Sequence, residues 1–207
     1  MKVAALLIAD PEGPDPRASV HGAPLLRHAA LGLLGAADRL VAAVPQSLLG
    51  DCELIIRSVP GAGSRCRVLA CGPDRDLRQA IEAAGPADVV LVHDVARPFV
   101  PPATVRAVAE AVFAGAEAII PVLPVTDTVK LVERGVIAGT SDRDGLRVLQ
   151  APVGYRPDLL ARLCAHGADP LIDLPGTVRT VAGHPTALRL TTAFDVAVAE
   201  ALLREQG

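Results

Sequence analysis

The segment of the sequence best suited to chemistry is Val92-His93-Asp94-Val95-Ala96-Arg97-Pro98. It places a carboxylate just past residues 88–93, an apolar, mostly β-branched run that reads as a buried strand. In open α/β sheets ligands bind outside the carboxyl ends of the strands. A single Asp there suits Mg²⁺, which takes one or two carboxylates and completes its shell with water and substrate phosphates. Asp94 is therefore a candidate metal ligand and catalytic residue. A plainer arrangement fits the same residues: Asp94 caps the turn and pairs with Arg97, or Arg97 orders the following loop. His93 reads as a packed strand-end residue rather than a ligand. Asp142 and Asp144 read as shaping a turn ahead of Gly145.

The elements that must hold these groups follow from hydrophobic patterning. Strands are expected at Val3–Ile8 and at residues 40–44, 67–70, 88–93 and 118–122. Helices are expected at residues 24–34, 46–59, 74–84, 101–114 and 157–166. Strand and helix in alternation predict a Rossmann-like α/β fold, a mostly parallel sheet with helices on both faces. Between residues 125 and 150 the pattern changes to short strand-like pieces with turns, read as a β-arm. Late strands are expected at 178–182 and 188–190. Thr192-Ala193-Phe194-Asp195 reads as a capping box opening a last helix that runs to about residue 205. Residues 1–207 are expected to form one domain carrying that arm.

Bulk properties narrow the partners. The chain has 207 residues, 51% hydrophobic but only 2% aromatic, so its core must be Ala, Val and Leu. Net charge is −3 with no basic block, which argues against a nucleic-acid partner. No run approaches the roughly 20 apolar residues of a membrane span. The apolar start is short and is broken by Asp10, Pro11 and Glu12, so it reads as a strand rather than a leader. Cys52, Cys66, Cys71 and Cys164 show no zinc spacing and read as reduced thiols of a cytoplasmic protein.

Several segments together resemble the 2-C-methyl-D-erythritol 4-phosphate cytidylyltransferase family. They are Val92-His93-Asp94-Val95-Ala96-Arg97-Pro98 and Pro124-Val125-Thr126-Asp127-Thr128-Val129-Lys130. Ser141-Asp142-Arg143-Asp144-Gly145-Leu146 and Gln150-Ala151-Pro152-Val153-Gly154-Tyr155 follow in order. Gly183-His184-Pro185 and Leu190-Thr191-Thr192-Ala193-Phe194-Asp195 complete the set. The resemblance runs over nearly the whole chain. It implies a nucleotidyltransferase or nucleotide-diphospho-sugar transferase type of fold. It also implies a reaction of an isoprenoid precursor pathway, in which CTP and a sugar-alcohol phosphate give a CDP-alcohol and pyrophosphate. By the same likeness Asp94 holds Mg²⁺ and Arg143 grips the acceptor phosphate. Asp127 and Lys130 belong to the substrate-binding arm root, and Arg189 stands where the family has a catalytic lysine. The resemblance further implies a homodimer joined through the arm.

The departures from the family pattern lie mostly at the nucleotide end. The family opens with a Gly-rich loop followed by Pro-Lys, whose backbone N–H groups, Arg and Lys hold the triphosphate. Here the place reads Ile8-Ala9-Asp10-Pro11-Glu12-Gly13-Pro14-Asp15-Pro16-Arg17. Ala9 and Gly13 remain of the cradle and Arg17 of its cations. No lysine lies between Lys2 and Lys130. Gly72 and Arg75 are what remains of the base-contacting segment. The acceptor motif is reduced to Ala168-Asp169-Pro170 with Asp173 nearby. These losses lead to the expectation that cytidylyl transfer is weak or lost. The alternative is a non-catalytic paralogue serving as a binding or regulatory partner. A nucleotide-sugar binder of the related glycosyltransferase type would need a second acidic metal ligand near Asp94, and no Asp-x-Asp motif stands there in the sequence.

Overall fold

Strand β1 (Val3–Ile8) is buried along its whole length, as its unbroken apolar run requires. Its side chains alternate between two cores. Val3, Ala5 and Leu7 face one, while Ala4, Leu6 and Ile8 face the other. β1 pairs in parallel with β4 (Arg39–Pro45) on one side and β6 (Val89–Asp94) on the other. β5 (Cys66–Cys71) extends the sheet beyond β4. Beyond β6 comes β11 (Val153–Tyr155), antiparallel to both β6 and β7 (Ala118–Pro124). β10 (Arg147–Leu149) continues along that same edge of β7, and β12 (Arg179–Ala182) takes the opposite edge in parallel. The eight-stranded sheet is thus mostly parallel. The computed structural model describes residues 1–72 and 77–204.

Helices cover both faces. Helices α1 (Leu25–Leu34), α2 (Leu49–Arg57), α4 (Pro102–Phe113) and α6 (Ala193–Arg204) contribute to the first core. Helices α3 (Arg78–Ala84) and α5 (Pro157–Ala165) contribute to the second. Pro102 and Pro157 sit in the first turns of α4 and α5, where a missing N–H has no partner to lose. The capping box of α6 forms in both directions. Thr192 Oγ1 accepts from the Asp195 N–H at 3.2 Å, and Asp195 Oδ2 accepts from the Thr192 N–H at 2.8 Å.

The arm carries a two-stranded hairpin, β8 (Lys130–Glu133) with β9 (Val136–Thr140). Its two-residue turn, Arg134-Gly135, has both φ angles positive, at 49° and 81°. That is the twist a tight hairpin needs and the reason a glycine stands there. A second small hairpin, β2 (Ser19–Val20) with β3 (Ala23–Pro24), turns at His21-Gly22 in the same way.

Two expectations need correction. Residues 188–190 form no strand. The Leu190 N–H donates to the Ala96 carbonyl instead, and the nearby Ala187 carbonyl accepts from the Arg97 side chain. The expected helix at 46–59 opens as a 3₁₀ turn over Gln46–Leu48 and ends at Arg57. β11 and the small hairpin of β2 and β3, which the pattern did not show, carry too few residues for a periodicity. The expected helix at 74–84 is described only as Arg78–Ala84, its first residues lying outside the described ones.

Candidate active site

The carboxyl ends of β1 and β6 come level where Ile8 pairs with Asp94. Past them opens a cleft of about 340 Å³. Its floor is Ile8, Asp10, Asp94 and Arg97, and one wall is Leu149, Gln150 and Ala151. Asp169, Leu171, Ile172 and Arg189 complete it.

Asp94 does two things. Its Oδ1 accepts from the Ala96 N–H at 2.8 Å, which shapes the turn after β6. Its Oδ2 accepts from Arg189 Nε at 2.7 Å. The carboxylate therefore does cap the turn, and its cation is Arg189, 95 residues on, rather than the neighbouring Arg97. Arg97 donates through Nη1 to the Ala187 carbonyl at 2.8 Å and through Nη2 to the Leu149 carbonyl at 3.0 Å. Burial lowers its pKa from the ordinary arginine value, and Asp94 partly offsets this. Arg97 thus works as a strut, and orders the loop.

His93 is fully buried and bonded by Nε2 to the Arg97 carbonyl at 2.9 Å. A carbonyl accepts only, so the ring proton sits on Nε2. Nδ1 is buried and has no partner among the described residues. Burial pushes the imidazole pKa down to about 4, so the ring is neutral. His93 therefore supports the turn from beneath.

The loop at residues 10–17 is organised inward. Pro11, Pro14 and Pro16 have no N–H. The Ala9 N–H donates to the Ala43 carbonyl, and the Gly13 N–H to the Asp10 carbonyl. The Glu12 N–H donates to Asp10 Oδ1, and the Arg17 N–H to Asp15 Oδ1. Arg17 binds Asp15 through Nε and Nη2 and reaches Asp51 of α2 through Nη1 at 2.7 Å. The two carboxylates hold the Arg17 pKa above its usual range, and Arg17 holds Asp15 below the ordinary carboxylate value. Ala9, Gly13 and Arg17 are absent from the cleft lining.

Gly72 is exposed at the end of β5, and Arg75 lies outside the described residues. Arg143, Asp127 and Lys130 gather at the arm root. Arg143 Nη1 donates to the Thr126 carbonyl, and Lys130 Nζ donates to Thr140 Oγ1 at 2.7 Å. Asp127 is exposed beside them. The described lining of the cleft includes none of the three.

Patterning alone did not single out Asp10, Gln150, Asp169 or the loop at 169–173 as cleft residues. That loop is anchored from below by Tyr155, whose buried hydroxyl donates to the Pro170 carbonyl at 2.5 Å. Burial raises the Tyr155 pKa.

A mostly parallel sheet with a carboxylate–guanidinium ion pair past the carboxyl ends of its central strands has a nucleotidyltransferase-like fold. Solved structures agree on the fold. A 4-diphosphocytidyl-2C-methyl-D-erythritol synthase from Anaerococcus prevotii superposes with a TM-score of 0.80 at 20% identity, over 98% of this chain and 99% of that one. The 2-C-methyl-D-erythritol 4-phosphate cytidylyltransferase of Thermus thermophilus gives 0.75 at 30% identity, over 96% and 98%. In sequence, the enzyme of that name from Saccharopolyspora erythraea is 39% identical over 98% of this chain and all of its own length. That of Rhodococcus jostii is 39% identical over 89% of this chain and 84% of its own. The sequence model of the family matches residues 12–205. The chain belongs to the 2-C-methyl-D-erythritol 4-phosphate cytidylyltransferase family.

Proposed function

We propose that this chain transfers a cytidylyl group from CTP to 2-C-methyl-D-erythritol 4-phosphate and releases pyrophosphate, at a rate limited by its loop at residues 10–17. The observation that carries the reading is the Asp94–Arg189 pair in the cleft at the sheet's carboxyl edge. As the acceptor phosphate attacks the α-phosphate in line, charge grows on the transferring and leaving groups, and fixed cations stabilise it. Arg189 suits that role. Among the described residues its side chain makes one bond, through Nε, which leaves its fork for phosphate oxygens. Arg97 keeps the segment bearing Arg189 against the turn that bears Asp94.

Asp94 is the proposed Mg²⁺ ligand, in a cleft that Asp10 and Asp169 also line. No group of three His, Cys, Asp or Glu side chains that could cage a metal occurs among the described residues. When bound, the ion would neutralise phosphate charge and align the phosphates. The chain's own part is to hold the Asp94 carboxylate in place through Ala96 and Arg189.

The arm is the proposed homodimer surface. Leu131, Val132, Val136 and Ile137 are each more than half exposed. A two-stranded hairpin is marginal in water on its own, and a contiguous apolar surface marks an interaction site. Arg143, Asp127 and Lys130 at its root are the proposed acceptor-binding residues. Gly72 and Arg75 are kept as the proposed base contacts.

The rate limit comes from the loop. A lost charge-assisted contact is worth about 1.5–3 kcal/mol, and every 1.4 kcal/mol is about tenfold in rate. The absent lysine and the inward N–H groups therefore favour slow turnover. The second reading, a non-catalytic binding partner, draws on the same loop, in which Arg17 is held by Asp15 and Asp51. Incubation with CTP, Mg²⁺ and the acceptor, followed by mass spectrometry, separates the two. A CDP-alcohol that is absent without acceptor supports the transferase. Its absence at long times and high protein concentration supports the binding partner.

A further inference from the structure

We propose that Gln150 is the positioning residue that sets Arg189 over Asp94. The inference rests on reading Arg189 as the phosphate-facing cation.

Residues 183–190 belong to no strand and no helix. Backbone bonds tie only the ends, from the Gly183 N–H to the Val122 carbonyl and from the Leu190 N–H to the Ala96 carbonyl, and side chains fix the stretch between. Gln150 follows β10, is only 4% exposed, and its backbone N–H donates to the Pro121 carbonyl of β7 at 2.9 Å. Its side chain lies over β7 and brackets His184 beyond β12. Nε2 donates to the His184 carbonyl and Oε1 accepts from the His184 N–H, both at 2.9 Å. At neutral pH only a carboxamide of this length offers one donor and one acceptor in that spacing.

The residue before His184 confirms how closely the amide approaches. A Cβ on Gly183 would lie 2.2 Å from Gln150 Oε1. The glycine therefore makes room for the amide, and two segments 33 residues apart in sequence are matched to each other. Further along, Arg97 grips the Ala187 carbonyl and Thr186 Oγ1 donates to the Phe99 carbonyl at 3.0 Å. The Leu190 N–H reaches the Ala96 carbonyl at 2.7 Å. Gln150 thus holds the start of the segment, and Ala96 its end, with Arg189 between. Without the bracket, the His184 N–H loses its partner and its carbonyl keeps only the Ala187 N–H, so the chain past Gly183 gains room to shift. A misplacement of about 1 Å can cost on the order of 100-fold in rate.

The test has a structural arm and a kinetic arm. In a crystal structure of Gln150→Ala, Arg189 is expected to leave Asp94. A retained Nε–Oδ2 contact near 2.7 Å overturns the proposal, whatever the rate. In kinetics, Gln150→Ala is expected to lower kcat/KM for acceptor-dependent pyrophosphate release by about 10- to 100-fold. In an Arg189→Ala background the same change should have no further effect. Equal losses in both backgrounds would mean a general structural role and overturn the proposal. If Arg189→Ala by itself leaves the rate unchanged, the functional reading of Arg189 fails, while the crystal structure still decides where Gln150 holds it. Should Gln150→Ala not fold, Gln150→Glu serves for both arms. Its charged form cannot donate to the His184 carbonyl, whereas its protonated form both donates and accepts. Activity relative to wild type should then rise as the pH is lowered, and a flat ratio overturns the proposal.

Discussion

Two parts of the same sheet edge have been built in opposite ways. At the Asp94–Arg189 floor, residues distant in sequence are drawn together, and a carboxylate and a cation face a cleft. At the loop of residues 10–17, charges and N–H groups bond to their near neighbours and to α2. The floor presents groups to a ligand; the loop satisfies itself. On the proposed reading, the groups that would act on the reacting phosphate are kept while the part that would grip the rest of the nucleotide is rebuilt.

Removing Asp94 should have the largest effect. Asp94→Ala takes away the proposed Mg²⁺ ligand and leaves Arg189 unpaired, so transfer should fall by on the order of 100-fold or more. Steady-state kinetics at varied Mg²⁺ will check this, and an unchanged Mg²⁺ dependence would remove Asp94 from the site.

The loop should respond in the other direction. In the double variant Asp15→Asn, Asp51→Asn, Arg17 loses both carboxylate partners, and repulsion of a triphosphate is reduced. CTP affinity should rise about tenfold, the worth of roughly 1.4 kcal/mol, by calorimetric titration. Unchanged affinity would show that Arg17 does not reach the nucleotide even when released.

Tyr155→Phe tests the far wall. It leaves the Pro170 carbonyl without its buried donor, which should cost about 1–3 kcal/mol in urea unfolding. The smallest effect is expected at Asp195, which caps α6 just past the segment that carries Arg189. Four bonds from Thr191 and Thr192 hold its pKa down to about 2. A carboxylate with a depressed folded pKa stabilises above its unfolded value, about 3.9, and this is lost as pH falls through the folded one. Asp195→Ala should therefore lower Tm by about 3 °C at neutral pH. The difference from wild type should shrink between about pH 4 and pH 2.

Asp94 was legible in the sequence because a strongly apolar strand ran straight into it, and strand ends are where α/β sheets bind ligands. The alternation that gave β1, β4, β6 and their helices was legible for the same reason: both faces of these strands are buried. Arg189 was visible only through family resemblance, since its neighbours suggested a strand. Pattern alone could not show that Asp94 pairs with Arg189 or that Gln150 brackets His184, because such pairs depend on which strand lies on which edge of β7. Arg17 read as a loop cation, and the sequence did not show that Asp15, two residues away, and Asp51, on another element, both bind it. β11 went unseen because three residues hold no period.

The most direct test is the initial rate of pyrophosphate release with CTP, Mg²⁺ and 2-C-methyl-D-erythritol 4-phosphate. An intact floor beneath a self-satisfied loop predicts release that requires both the acceptor and Asp94, at well under about 1 per second, the low end of ordinary turnover. Release at about that rate or faster would contradict the account, because a loop engaged with itself could not then be limiting.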